Sequence, residues 1–367
     1  MIKKITIVAG ARPNFMKIAP LLHEFAKHGD RFNIKLVHTG QHYDYQMSEV
    51  FFKEFGIRAP DTHLNAGSGS HAEVTAKIMV EFEKVLKADR QDLVIVVGDV
   101  NSTLACSLVA SKMGVKVAHV EAGLRSFDRE MPEEINRLVT DALSDYLFVS
   151  EPSGLKNLKH EGVSKTKVFY TGNIMIDTLF AQMPKVDASG ILEKLQLKPK
   201  TFAVMTIHRP SNVDTPKALA EIHEIVERIA NDTKIVYPIH PRTKKCMETG
   251  GYLTKFEAIK NLLMIEPLGY SDFLKLVKHS RFVLTDSGGI QEETTVLHVP
   301  CLTMRENTER PSTITQGTNV LVGRNRRKMH AEVQRILAGK VKRGRIPKHW
   351  DGKTAQRIVK IISQAAF

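Results

Sequence analysis

The sequence predicts an α/β protein of two domains, each built on a parallel sheet, and three observations carry that prediction. Short β-branched runs alternate with helical patterns of roughly 12 to 18 residues, which is the signature of βαβ units. The alternation comes in two series, separated by a looser segment containing Pro184, Gly190 and Pro199. The residues that follow the strands are polar or glycine, as they are where open sheets bind ligands beyond their carboxyl ends. A chain of 367 residues is also long for a single core.

The first series supplies strands at Ile5–Ala9, Ile34–Thr39, Leu93–Val97, Val115–Val120, Tyr146–Val149 and Val168–Tyr170. The second supplies Phe202–Ile207, Ile235–Ile239, Leu262–Ile265, Phe282–Thr285, Cys301–Met304 and Val320–Val322. The loosening between them places the boundary near Gly172 to Pro199, giving domains of residues 1–172 and 173–352.

Composition narrows the classes. The 42% apolar and 25% charged shares are those of an ordinary soluble globular protein. The start MIKKITIVAGARP superficially mimics a signal peptide, but its apolar run of about six residues meets Arg12-Pro13 with no small-residue cleavage site, so it reads as a first strand. No run approaches the roughly 18 apolar residues of a membrane helix. Cys106, Cys246 and Cys301 are odd in number and lack CxxC pairing, which suits a reducing cytoplasm and no metal. The net charge of +13 raises nucleic acid as a partner, but much of the excess lies in Arg324–Lys348 with only Trp350 nearby to stack on a base. A basic solvated face, helpful to an acidic small substrate, is the expectation.

The candidate site follows from the strand ends. In the first series these are Gly10-Ala11-Arg12-Pro13 with Lys17, then Gly40-Gln41-His42, Gly98-Asp99 and Glu121. In the second they are His208-Arg209-Pro210, His240-Pro241-Arg242, Glu266-Pro267, Asp286-Ser287-Gly288-Gly289 and Arg305. If the two sheets face each other, these residues line one interdomain cleft. Asp99 and Glu121 end adjacent strands, and carboxylates held close and desolvated push one pKa upward toward general acid–base work. Asp99 could instead cap a helix beginning near Asn101. Pro132 suits the first position of a helix, and Glu133 and Arg137 then fall at i and i+4, where a surface ion pair is the competing explanation. At Asp286–Gly289 a buried strand stops in a glycine turn that opens a helix, the layout of an anion site. Free amides there suit phosphate, and Glu293, one turn on, could accept from sugar hydroxyls.

These residues carry a resemblance. GARPNFMKIAPL, TGQHYDYQMSEVFF, GDVNSTLA, HVEAGLRSFDREMPEEINR, TGNIMIDTL, TIHRPSNVD, TDSGGIQEE and NTERPSTITQGTNVLVG occur in the order and spacing of the non-hydrolysing UDP-N-acetylglucosamine 2-epimerases. The resemblance implies two facing Rossmann-like domains with parallel sheets, glycosyltransferase-B-like, with the active site in the interdomain cleft and a last helix, 353–367, packing back on the first domain. It implies C2 epimerisation by anti elimination of UDP through a 2-acetamidoglucal and re-addition, with no nicotinamide or other cofactor. Asp99, Glu121, Glu133, Arg137 and His208 match the family's catalytic positions. Arg12, Lys17, Leu268, Phe273, Ser287, Gly288, Gly289, Glu293 and Arg310 match its substrate-binding positions, and Gln41, Gln46 and His240 a second, allosteric substrate site.

A cytoplasmic homodimer without nucleic-acid or membrane partners is implied too. Asn14 and Ser312 depart from the Glu common at their positions, which bears on the sugar substituents accepted. Two rivals share the chemistry: a 2-epimerase of a UDP-diacetamido uronic acid, whose carboxylate Arg125 or Arg129 could meet, and a hydrolysing variant that releases N-acetylmannosamine.

Overall fold

The computed structural model describes residues 2–40 and 52–366. The chain divides into two compact units, the first Met1–Ala181 with Lys348–Phe367, the second Gln182–Pro347. The chain passes between them inside the helix Ile174–Ala188, rather than in the turn at Gly172 before it.

The described residues of unit 1 hold seven parallel strands: β1 (Lys3–Ala9), β2 (Phe32–His38), β3 (Thr62–His63), β4 (Leu93–Val97), β5 (Lys116–Ala122), β6 (Tyr146–Val149) and β7 (Val168–Tyr170). Their order is β3-β2-β1-β4-β5-β6-β7. Unit 2 holds β8 (Phe202–Thr206), β9 (Lys234–Pro238), β10 (Leu262–Ile265), β11 (Phe282–Thr285), β12 (Cys301–Thr303) and β13 (Asn319–Leu321), in the order β10-β9-β8-β11-β12-β13. Each sheet therefore has one switch point, between β1 and β4 and between β8 and β11, where helices leave in opposite directions and open a crevice at the strand ends. The residues that follow these strands are the polar ones singled out in the sequence. Among the described residues only the two-residue β3 lies outside the expected strands.

Helices cover the sheets by apolar faces. His71–Ala88 starts in a capping box, Ser70 Oγ accepting from the Glu73 amide and the Glu73 carboxylate from Ser70 N–H. Its Val74, Ile78, Phe82 and Leu86 fall four residues apart on one buried stripe against β4. Each such side chain contributes about 1.5–3 kcal/mol by leaving water.

The C-terminal helix Thr354–Gln364 belongs to unit 1 and is tied there at both ends. The Asp177 carboxylate accepts from the Thr354 and Ala355 amides at 3.0 and 2.8 Å, so its negative charge sits where free N–H groups gather. At the other end Lys3 Nζ donates to the carbonyls of Ile362 and Ser363.

The basic tract is partly paired. Arg324 meets Glu221, Arg326 meets Glu224, and Lys342 Nζ donates to the Ile314 and Asn319 carbonyls. Trp350 is 1% exposed with its indole N–H on the Ser150 carbonyl, so it is no stacking platform for a base. No helix among the described residues is long and apolar enough to cross a membrane.

Candidate functional site

In unit 1 the ends of β4 and β5, paired at Val97 and Val120, carry Asp99 and Glu121. The two carboxylates do not share one desolvated pocket as expected; each rests on its own buried cation. Asp99 receives Arg137 Nη1 at 2.5 Å. Helix Asn101–Lys112 is capped at Val100 with no side-chain cap bond, so Asp99 is not its cap. Glu121 Oε2 receives Lys17 Nζ, both side chains being buried.

Glu121 also bears strain. It sits at a register shift between Val120 and Ala122 with φ +76°, left-handed backbone that costs a non-glycine residue about 1–2 kcal/mol. Its Oε1 is buried without a hydrogen-bond partner among the described residues. Strained backbone and an unsatisfied buried oxygen both cost stability, and such features cluster at functional sites. Neighbouring Gly98 has φ +69°, and a Cβ there would stand 2.8 Å from Lys17 Nζ, so only glycine leaves room for the lysine.

Asn14 binds the switch point together: its Oδ1 accepts from the Gly10 and Ala11 amides at 2.9 Å, and its Nδ2 donates to the Val97 carbonyl. A carboxylate could not make that last bond. The backbone of Arg12 opens the adjoining helix Arg12–Ala26, and the described structure does not extend to its side chain.

Helix Pro132–Leu143 begins with Pro132 as expected. The expected Glu133–Arg137 ion pair is not made. Glu133 is exposed, whereas Arg137 is 2% exposed and grips Glu134 with Nε and Nη2 at 3.0 and 2.6 Å. Positions i+3 and i+4 are equally near on a helix, and burial selects the acid that also serves the preceding loop. Glu134 accepts from the Ser126 and Phe127 amides at 2.9 and 3.0 Å. Burial alone would raise its carboxyl; the bonds from Ser126 and Arg137 hold it below the usual range.

Two residues of this site gave no sequence signal. His119 and Asp141 are fully buried, and their side chains meet at 2.6 Å. Asp141 also takes Arg125 Nη2 at 2.7 Å, and Arg125 continues to Glu161 at 2.6 Å. Arg125 is thereby committed inside the protein, which removes it as a partner for a substrate carboxylate. Arg129 is exposed.

In unit 2, His208 follows β8 by two residues and Asp286 directly follows β11. Asp286 is 0% exposed and collects the His208 and Arg209 amides, Asn212 Nδ2 and His208 Nδ1, the last at 3.1 Å. Burial would raise its carboxyl, but the bonds from His208 and Asn212 hold it low. It therefore orients the imidazole by Nδ1 and leaves Nε2 as the ring's other polar atom.

Helix Gly288–Val296 follows, with Ser287 as its cap residue. The Ser287 amide is occupied by Thr285 Oγ1, so the anion donors of this turn begin with Gly288 and Gly289, in the first helical turn where N–H groups lack intrahelical acceptors. A Cβ on Gly288 would come within 2.8 Å of Arg310 Nη1, so the guanidinium lies directly on the turn. Arg310 is held by Glu292 and Glu309 at 2.7 and 2.6 Å. Burial would raise Glu309, but Arg310 and Arg305 beside it keep it well below the carboxylate range.

Glu293 is buried with one bond, from the Tyr270 hydroxyl at 2.8 Å, and burial pushes its carboxyl up to about 7. Leu268 and Phe273 pack partly exposed against the apolar cluster containing Ile290. Of the implied allosteric residues, Gln41 and Gln46 lie outside the described residues. His240 is exposed, with its ring centroid 5.9 Å from that of His208. Among the described residues no group of three His, Cys, Asp or Glu could hold a metal ion.

Comparison with known proteins agrees in sequence and fold. A family model described as UDP-N-acetylglucosamine 2-epimerase matches residues 24–363. The UDP-N-acetylglucosamine 2-epimerase of Methanocaldococcus jannaschii is 40% identical over 370 residues, covering 99% of this chain and 100% of its own. The UDP-2,3-diacetamido-2,3-dideoxy-D-glucuronate 2-epimerase of Pseudomonas aeruginosa is 38% identical over 365 residues, covering 98% and 99%. The crystal structure of the Methanocaldococcus jannaschii UDP-GlcNAc 2-epimerase in complex with UDP-GlcNAc and UDP matches with a TM-score of 0.90 at 40% identity, over 99% of this chain and 100% of that one. With the strand-end acids, the glycine turn and this likeness along nearly its whole length, the chain belongs to the UDP-N-acetylglucosamine 2-epimerase family of isomerases.

Proposed function

We propose that this enzyme interconverts UDP-N-acetylglucosamine and UDP-N-acetylmannosamine by eliminating and re-adding UDP. The observation that carries the proposal is the pair of carboxylates at adjacent strand ends, Asp99 on Arg137 and Glu121 on Lys17. A carboxylate removes the C2 proton, the C1–O bond breaks with its electron pair leaving on the UDP phosphate, and a C1=C2 double bond forms, giving 2-acetamidoglucal. A proton returned to the opposite face of C2, with UDP oxygen re-adding at C1, completes the inversion. One base cannot easily reach both faces of a ring, which gives a family of acids, Asp99, Glu121 and Glu133, something to do.

In this reading His208, oriented by Asp286, stabilises charge on the departing phosphate. Gly288, Gly289 and Arg310 hold the diphosphate, joined by Arg12, while Ser287 caps the turn. Glu293 accepts from the ribose, and Leu268 and Phe273 take the uracil. Lys17 pairs with Glu121 and approaches the sugar. Gln41, Gln46 and His240 would form the allosteric site, and the family likeness supports a cytoplasmic homodimer.

Incubation with UDP-N-acetylglucosamine in D2O, followed by proton NMR, tests this. Deuterium entering C2 with a manno product is the expected result; an unchanged sugar with no exchange would sink it. Free N-acetylmannosamine as the main product would assign the hydrolysing reaction. The diacetamido-uronate reading is disfavoured by the internal pairing of Arg125, and faster turnover of that UDP-uronate than of UDP-N-acetylglucosamine would reverse the ranking.

A further inference from the structure

We propose that His119 and Asp141 are positioning residues for the two strand-end carboxylates, with His119 held as a doubly protonated strut between the Gly98 carbonyl and Asp141. The proposal rests on the reading of Asp99 and Glu121 as reactive groups.

His119 Nε2 lies 2.8 Å from the Gly98 carbonyl, which can only accept, so this nitrogen carries hydrogen. His119 Nδ1 lies 2.6 Å from Asp141 Oδ1. The other oxygen of Asp141 accepts from the Gly123 amide at 2.9 Å and from Arg125 at 2.7 Å, a pattern that fits an ionised carboxylate. An ionised carboxylate is again only an acceptor, so Nδ1 carries hydrogen too. The ring is an imidazolium. Its charge is not isolated: His119, Asp141, Arg125 and Glu161 alternate in sign and sum to zero, and only Glu161 reaches solvent.

The consequence is geometric. Glu121 stands between His119 and Gly123, and the two oxygens of one carboxylate bind those two neighbours, one on each side of the register shift. That clamp spans the residue held at φ +76°. The same histidine anchors the carbonyl of Gly98, immediately before Asp99, while the Gly98 amide bonds Val120 at 3.1 Å. One imidazolium thus fixes the backbone under both acids. Asp141 in turn rides on helix Pro132–Leu143, which carries Arg137, the cation on Asp99. Over-determination of this kind is what keeps a strained residue in place.

The test uses the full-length chain. With 15N-labelled histidine, both ring nitrogens of His119 are expected at imidazolium shifts. A neutral tautomer overturns the strut, and this measurement needs no variant to fold. For positioning, Asp141→Asn replaces one acceptor by a donor without changing size. We expect kcat to fall about 100-fold, the order that a displacement near 1 Å can cost, with KM changed less than about threefold and UDP affinity retained. Wild-type kcat in this variant overturns the positioning role, as does a loss of kcat matched by an equal loss of UDP affinity. If the wild-type chain exchanges no C2 proton with any UDP-sugar, the proposed reaction fails, while the ring shifts still decide the strut.

Discussion

The two strand-end clusters, built on the same fold, hold charge in opposite ways. In unit 1 each strand-end acid has one cation, and Glu121, in left-handed backbone, keeps one oxygen without a hydrogen-bond partner among the described residues. In the unit 2 cluster three acids are absorbed and only Glu293 lacks a cation among the described residues: Glu309 lies among Arg310, Arg305 and Arg209, Glu292 holds Arg310, and Asp286 is filled by four donors. What unit 2 leaves without an acceptor among the described residues is donors, the amides of Gly288 and Gly289 at the start of a helix. A parallel sheet offers the same crevice twice, and the balance of acids and donors there decides whether it suits proton transfer or anion binding.

The contrast predicts where variants will act. Glu121→Gln removes the charge but keeps the shape, so C2 exchange should fall about 10³-fold, within the range of a lost general base, while UDP affinity stays near wild type. Exchange by NMR and UDP titration calorimetry separate the two, and undiminished turnover would remove Glu121 from the reaction.

Glu293 should behave in the reverse manner, affecting stability and UDP but not exchange chemistry. Its folded carboxyl lies at about 7 against 4.5 for an ordinary Glu, so between those values the folded chain holds a proton that the unfolded chain has released. Stability therefore falls as pH rises through that window, by about 3 kcal/mol in all, and Glu293→Gln should flatten the slope of Tm against pH. If ribose hydroxyls donate to the ionised form, UDP affinity of the wild type rises with pH through about 7; a flat profile removes Glu293 from the ribose.

Next in size, Asp286→Asn leaves the amide bonds largely possible but withdraws the charge facing His208 Nδ1. A fall in kcat of about 10²-fold and a shifted pH–rate profile are expected, in the range of a lost electrostatic contact. An unchanged profile would separate Asp286 from the function of His208. Smallest of all, Arg326→Ala breaks a half-exposed pair with Glu224 and should change stability by less than about 1 kcal/mol, leaving turnover untouched. A large change in either would mean that the basic tract does more than face water.

The sequence disclosed the architecture more fully than the wiring. Buried parallel strands such as Leu93–Val97 are continuous apolar runs bounded by glycine, a signal strong enough to find all but Thr62–His63, whose two polar residues on the sheet edge have no run to show. The position of Asp99 and Glu121 at neighbouring strand ends was legible as well, because it follows from where the apolar runs stop. Their partners were not. Helix Pro132–Leu143 turns a polar side inward, with Glu134, Asn136, Arg137, Thr140 and Asp141 buried, so hydrophobic periodicity could not choose Glu134 over Glu133. His119 and Asp141 are 22 positions apart and become neighbours only through the β5–helix packing. Asp286 was visible as part of a glycine turn, but its four donors arrive from the β8 side of the switch point.

The last helix has a consequence for how the molecule is made. Unit 1 is discontinuous: Lys3 waits for carbonyls at Ile362 and Ser363, and Asp177 for amides at Thr354 and Ala355. All of unit 2 is synthesised between those partners. On the ribosome the unit begun first is therefore closed last, and Gln182–Pro347 has its whole chain available while the carboxylate-bearing unit still lacks its final helix. Until that helix has emerged, the acids of the first unit belong to an unfinished body.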